Sequence, residues 1–246
     1  MHLSGKTALI TGGGKRLGRA TALALAAEGV SVVIHYQTSA EAAAECADAA
    51  RRLGVHAWTI QADLGDAEVC QGLLDQACNQ AGPIDILVNN ASIFPRNTLV
   101  EMTLLDVAEN MQVNAMSPFL LSRSLAAQGR SGAIVNLLDT RVVHYDRVHA
   151  AYHLSKRMLL TLTRMMALEF APSIRVNAVA PGLILPPPGE DESYLQKMAG
   201  NVPLQRIGSE EEITEAILFL LRSDFVTGQV IFVDGGFHMK GTVYGL

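Results

Sequence analysis

Thr7-Ala8-Leu9-Ile10-Thr11-Gly12-Gly13-Gly14-Lys15-Arg16-Leu17-Gly18-Arg19 decides the fold. A short apolar run enters a glycine-rich turn, and residues 17–28 then carry apolar side chains at helical spacing. That is a strand, a tight turn and a helix. The pattern recurs along the chain. Strands are predicted at 7–11, 31–36, 56–63, 84–90, 132–139, 174–181 and 229–233, and helices at 17–28, 40–53 and 148–171 among others. Strands apolar at successive positions bury both faces, and helical links between them imply a parallel sheet covered on both sides. Gly29 and Gly54 stand where helix C-caps are expected. No linker, low-complexity tract or internal repeat interrupts the series. The reading is one α/β domain over residues 1–246, a doubly wound parallel sheet of seven strands.

The composition, 49% hydrophobic and 17% charged, provides a large core. A net charge of -5 without a basic stretch argues against a nucleic-acid partner. No apolar run is long enough to span a bilayer. The first residues lead into a strand without the basic-then-apolar pattern of an export signal. Cys46, Cys70 and Cys78 lack metal or redox spacing and read as reduced thiols, so a cytoplasmic protein is expected. His144, His149 and His153 read as rim or surface residues, and no metal site is expected.

Ligands of such sheets lie beyond the carboxyl ends of the strands, where strand order switches. The loop Gly12, Lys15, Arg16, Leu17 and Gly18 lets backbone approach a diphosphate, and the following helix supplies unpaired N–H groups. Leu17 breaks the strict GxGxxG pattern, and a merely tight turn is the alternative. Around the end of the second strand, His35-Tyr36-Gln37-Thr38-Ser39 has no carboxylate to pair a ribose 2′-hydroxyl, while Lys15 and Arg16 add positive charge. A 2′-phosphate fits this balance, so the expected cofactor is NADP(H). Asp63, followed by Leu64, would hold the adenine edge or cap the next helix. Asn89-Asn90-Ala91-Ser92 leaves room for a ribose, or is an ordinary turn. Tyr152 and Lys156 share one face of a helix, four residues apart, with Asp139 arriving from a strand end. A phenol titrates near 10, and an ammonium beside it would lower that value.

These landmarks resemble the short-chain dehydrogenase/reductase family over nearly the whole chain. They are the 11–18 loop, Asp63, Asn89-Asn90-Ala91, Asn114, Tyr152 with Lys156, Pro181-Gly182, and the closing run through Thr227-Gly228 to Asp234-Gly235-Gly236. The family loop reads TGxxxGxG, yet Arg16 stands at its middle glycine; the catalytic strand ends in Asp139 instead of Ser; and Ser92-Ile93-Phe94-Pro95 follows the fourth strand. With His35-Tyr36, Ser39-Ala40 and Leu183 after Pro181-Gly182, these departures resemble the pteridine reductase branch.

The resemblance implies a Rossmann-like fold and hydride transfer from NADPH to a C=N bond of a dihydropterin or dihydrofolate. It implies that Asp139 passes a proton through Tyr152, and that Lys156 holds the nicotinamide ribose. Asn114 would position Lys156 through a water and a bent helix backbone. Arg16, Ser92, Phe94, Asp139, Tyr152 and Leu183 would meet the substrate, with Phe94 stacking on the heterocycle or serving as core filling. Arg141, His144, Tyr145, Asp146 and Arg147 could shape specificity. Residues 183–201 read as a lid or a passive loop. Members of the family are typically homotetramers, built on the Tyr152 helix and the C-terminal end, and the apolar stretch 161–170 and the tail 237–246 permit this. Two other functions remain open: reduction of a 3-oxoacyl thioester or other ketone, against which Asp139 counts, and a non-catalytic nucleotide-sensing protein.

Overall fold

The computed structural model describes residues 1–187 and 191–240. Its sheet contains β1 (Thr7–Ile10), β2 (Ser31–Tyr36), β3 (Ala57–Gln61), β4 (Ile86–Asn89), β5 (Gly132–Leu137), β6 (Ile174–Pro181) and β7 (Val230–Val233). All neighbours pair in parallel, in the order β3-β2-β1-β4-β5-β6-β7.

Side chains alternate across the sheet, and both sets are apolar. Ala8, Ile10, Val32, Ile34, Ile86, Val88, Ala133 and Val135 share one core with α1 (Arg16–Ala27), α2 (Ala40–Arg52) and α8 (Glu210–Arg222). Leu9, Val33, Leu87 and Ile134 share the other with α3 (Ala67–Ala81), α5 (Ser117–Ala127) and α6 (Ala150–Glu169). A one-residue register slip would exchange these sets, and since both faces are covered the cost falls on packing more than on polarity. Two further helices are α4 (Leu104–Met111), packed against α6, and α7 (Glu192–Ala199). The predicted seven-strand doubly wound sheet is the one observed; its helix over 148–171 is trimmed to Ala150–Glu169.

Helix ends explain where the chain turns. Gly29 and Gly54 follow the caps of α1 and α2 with φ of 78° and 91°, the left-handed region that glycine enters without a Cβ clash. Asp66 caps α3 by accepting from Glu68 N and Val69 N, so the helix-cap alternative for Asp63 is incorrect. Thr103 and Ser209 form reciprocal capping boxes with Asp106 and Glu212. By contrast, neither Lys15 nor Ser39 makes a side-chain cap bond at the start of α1 or α2. The open helix start of α1 therefore lies at the β1–β4 switch in strand order, where a ligand is expected.

Candidate active site

A cleft of about 1130 Å³ opens over the carboxyl ends of the strands. Gly12, Lys15, Arg16, Leu17, Gly18, His35, Tyr36, Gln37, Thr38, Ser39, Asp63, Leu64, Asn90, Ala91 and Ser92 line it, with Phe94, Asp139, Tyr152, Lys156, Pro181, Gly182 and Leu183. Of the residues assigned to the site from sequence, Asn114 alone does not line the cleft.

At the phosphate-loop end, the backbone is fixed by polar contacts from β1, β2 and β4. Thr11 Oγ1 accepts from Asn90 N at 2.9 Å and Ala91 N at 3.0 Å. Asn90 Nδ2 donates to the carbonyls of Thr11 and Gly12. A Cβ on Gly18 would stand 2.1 Å from Gly12 O, so only glycine lets α1 come this close to the loop. Arg16 adopts φ 51°, the left-handed conformation that suits the glycine usual at this position. Its Nη2 donates to Pro186 O at 2.7 Å, reaching across the cleft to the segment after β6.

His35 lines the cleft, and both of its ring nitrogens are engaged within the fold. Its Nδ1 accepts from Gly12 N at 3.1 Å, so the ring hydrogen sits on Nε2, facing Ala62 O at 3.2 Å. Burial pushes its pKa below the ordinary histidine value, as this neutral tautomer requires. Asp63 Oδ1 accepts from Gln37 Nε2 at 3.0 Å and Gly65 N at 2.8 Å, joining the loops after β2 and β3.

At the reaction end, Tyr152 Oη donates to Asp139 Oδ2 at 2.9 Å. Asp139 Oδ1 accepts from Arg141 N at 2.7 Å, which fixes the carboxylate as the cap of a short turn, Thr140–Val143. Lys156 Nζ donates to Leu137 O at 2.8 Å, leaving two of its three hydrogens for other acceptors. Both side chains are buried, at 6% and 4% exposure. Burial, reinforced by Asp139, raises Tyr152 well above the ordinary phenol value. Burial lowers Lys156 to about 8. Burial and the acid bonded to the phenol thus set a direction opposite to the lowering expected from Lys156, whose Nζ stands 5.7 Å from the ring centroid.

The side chain of Asn114 bonds both the loop after β4 and α6. It sits in a widened π-helical turn, Gln112–Met116, that joins α4 to α5. Its Oδ1 accepts from Ile93 N at 2.9 Å and Ser92 Oγ at 3.1 Å, and its Nδ2 donates to Ile93 O and Ser155 Oγ, both at 3.0 Å. It therefore ties the loop after β4 to α6 beside Lys156.

Phe94 meets Tyr152 edge-on at 4.5 Å, and His149 stacks on it at 3.9 Å. Arg141 stands 5.2 Å from the Phe94 centroid and its Nη1 is 3.3 Å from His149 Nδ1, so both lie on one side of that ring. Of the three histidines expected at the rim or surface, His144 and His149 line the cleft, and only His153 is a correction. His153 is 7% exposed, and His149 is largely covered by Phe94 and Asp146. A backbone bridge explains this grouping: Asn97 N donates to Val148 O, Ala150 N donates to Asn97 O, and Asn97 Oδ1 caps α6 by accepting from Ala151 N at 3.0 Å. The pairing of distant loops at 92–97 and 139–150 leaves no periodic signal in the sequence.

Leu183 and Pro187 line the cleft, as do Leu195 and Met198 of α7; Pro188, Gly189 and Glu190 of the expected lid, and 241–246 of the tail, lie outside the described residues. Among the described residues, no group of three His, Cys, Asp or Glu is placed to hold a metal, and no helix is long and apolar enough to cross a membrane.

Residues 14–238 match the family model described as Enoyl-(Acyl carrier protein) reductase. This chain belongs to the short-chain dehydrogenase/reductase family. Another member, L-xylulose reductase of Mesocricetus auratus, is 37% identical over 96% of this chain and 98% of its own. The 3-oxoacyl-[acyl-carrier-protein] reductase FabG of Staphylococcus aureus is 33% identical over 95% of this chain and 98% of its own. Among solved family structures, the FolM alternative dihydrofolate reductase 1 of Brucella canis, complexed with NADP, superposes with a TM-score of 0.91. It is 32% identical and covers 99% of this chain and 98% of its own.

Proposed function

We propose that this short-chain dehydrogenase/reductase reduces a ring C=N bond of a dihydropterin or dihydrofolate. The cofactor is NADP(H). The open α1 start, the close loop around Gly12 and Gly18, and Lys15 and Arg16 without an acid at 35–39 suit its phosphates. When bound, it supplies the hydride. Tyr152 donates the proton that the ring nitrogen takes up, and Asp139, bonded to the phenol at 2.9 Å, returns a proton to it from solvent. Lys156, held by Leu137 O, orients the nicotinamide ribose with its remaining hydrogens.

The observation that carries this reading is the Tyr152–Asp139 bond. A serine in that place would donate to a ketone oxygen, whereas an ionised carboxylate only accepts. Ketone reduction is the second reading, favoured by the xylulose and 3-oxoacyl reductases among the relatives. Following NADPH oxidation with dihydrobiopterin and, separately, acetoacetyl-CoA decides between them. Turnover of the pterin supports the proposal; turnover of the thioester alone overturns it.

The assembly is a homotetramer in this reading, resting on exposed apolar side chains such as Met165 and Leu168 of α6. Light scattering that gives a monomer would overturn it.

A further inference from the structure

We infer that the outer end of the cleft, beyond Phe94 and Tyr152, receives a carboxylate on the tail of the substrate, read by Arg96 and Arg147. This inference rests on the pterin reading. It begins with the backbone bridge between Asn97 and His149, which places Arg96 beside the 147–149 segment. Both arginines are exposed, and both line the same cleft as Phe94 and Tyr152.

The nearby acid does not neutralise them. Asp146 Oδ2 pairs with Arg141 Nη1 at 2.7 Å and with His149 Nδ1 at 3.1 Å. Asp146 Oδ1 accepts from Val148 N at 2.7 Å and His149 N at 3.1 Å. Its carboxylate is thus spent on Arg141, His149 and the turn. Neither Arg96 nor Arg147 has an ion-pair partner among the described residues. The charge of Arg96 is felt at His149, where it and Arg141 add to burial in lowering that imidazole. A locally positive end therefore stands out in a chain whose net charge is -5. Guanidinium groups bind carboxylates through paired, charge-assisted hydrogen bonds. A flat ring lying at Tyr152 with an anionic tail directed past Phe94 would meet both. A neutral pterin side chain would gain nothing from them.

The test is the double variant Arg96→Gln/Arg147→Gln, assayed with dihydrofolate, which carries the carboxylate tail, and with dihydrobiopterin, which does not. For dihydrofolate KM is expected to rise about tenfold with kcat nearly unchanged, the loss of two rim contacts of ordinary strength. For dihydrobiopterin KM should stay within about twofold, since uncharged tails make no such contact. In the unmodified enzyme, added salt should raise KM for dihydrofolate and not for dihydrobiopterin. Equal shifts for both substrates, no shift for dihydrofolate, or a salt-independent KM overturns this inference alone. Turnover of acetoacetyl-CoA but of neither pterin overturns the pterin reading and this inference with it.

Discussion

Replacing Lys156 by methionine should make the ligand-free protein more stable while removing its activity. Lys156 is 4% exposed, and burial lowers its ammonium to about 8, with Asp139 offsetting only part of that effect. Holding the charge inside the fold at neutral pH then costs about 3 kcal/mol. Methionine keeps the length of the side chain without its charge. It also leaves Leu137 O without its 2.8 Å donor, and an orphaned buried carbonyl costs about 1–2 kcal/mol. Desolvation wins, so a net gain of about 1–2 kcal/mol is expected, or roughly 2–8 °C in melting temperature for a chain of this size. The pH dependence separates charge from packing. Between about pH 8 and the ordinary lysine value, the unfolded chain keeps a proton on Lys156 that the folded chain has lost. The contribution of this group to stability therefore rises with pH across that window. The advantage of the variant should be full at pH 7 and much reduced at pH 9.5. Thermal melts at both pH values are the assay. A variant that melts below the unmodified protein at pH 7, or a gap that does not narrow at pH 9.5, refutes the reasoning.

Three other outcomes follow from the site. Tyr152→Phe should lower turnover by about 10²–10⁴-fold, the usual contribution of a proton donor, with the dissociation constant for NADPH nearly unchanged by fluorescence titration; loss of cofactor affinity instead would contradict its assigned role. Asp139→Ser should lower dihydropterin reduction by at least about tenfold if the carboxylate resupplies the phenol, and unchanged kcat would make the acid incidental. Gly18→Ala puts a methyl 2.1 Å from Gly12 O, so the urea midpoint should fall by the equivalent of about 1–3 kcal/mol and NADPH binding should weaken with it; an unchanged affinity would show that the loop can open without consequence.

The sheet was legible because each strand is a short apolar run and each crossover a periodic helix, and both signals are local. Glycines at 12, 18, 29 and 54 marked turns that the backbone angles and close approaches require. Asp139, Tyr152 and Lys156 were legible from spacing and strand ends. The sign of the Tyr152 shift was not, because it depends on how much water burial removes and on a carboxylate thirteen positions away in sequence. The place of His35 at the end of β2 is legible, whereas the engagement of its two nitrogens by Gly12 and Ala62 is not. The burial of His153 beside Tyr145, and the stacking of His149 on Phe94, depend on loops that are far apart in sequence. Contacts of that kind follow from how the strand ends converge in space, and no stretch of the chain records them alone.

The bond from Ala151 N to Asn97 Oδ1 has a consequence for altering specificity. The loop that carries Phe94 also terminates the helix that carries Tyr152. Shortening or replacing residues 92–97 to admit another substrate would release the first turn of α6 and let the phenol drift from Asp139. Grafts that retain Asn97 in register with His149 should keep the proton donor aligned, whereas grafts that lose it should exchange one selectivity for none.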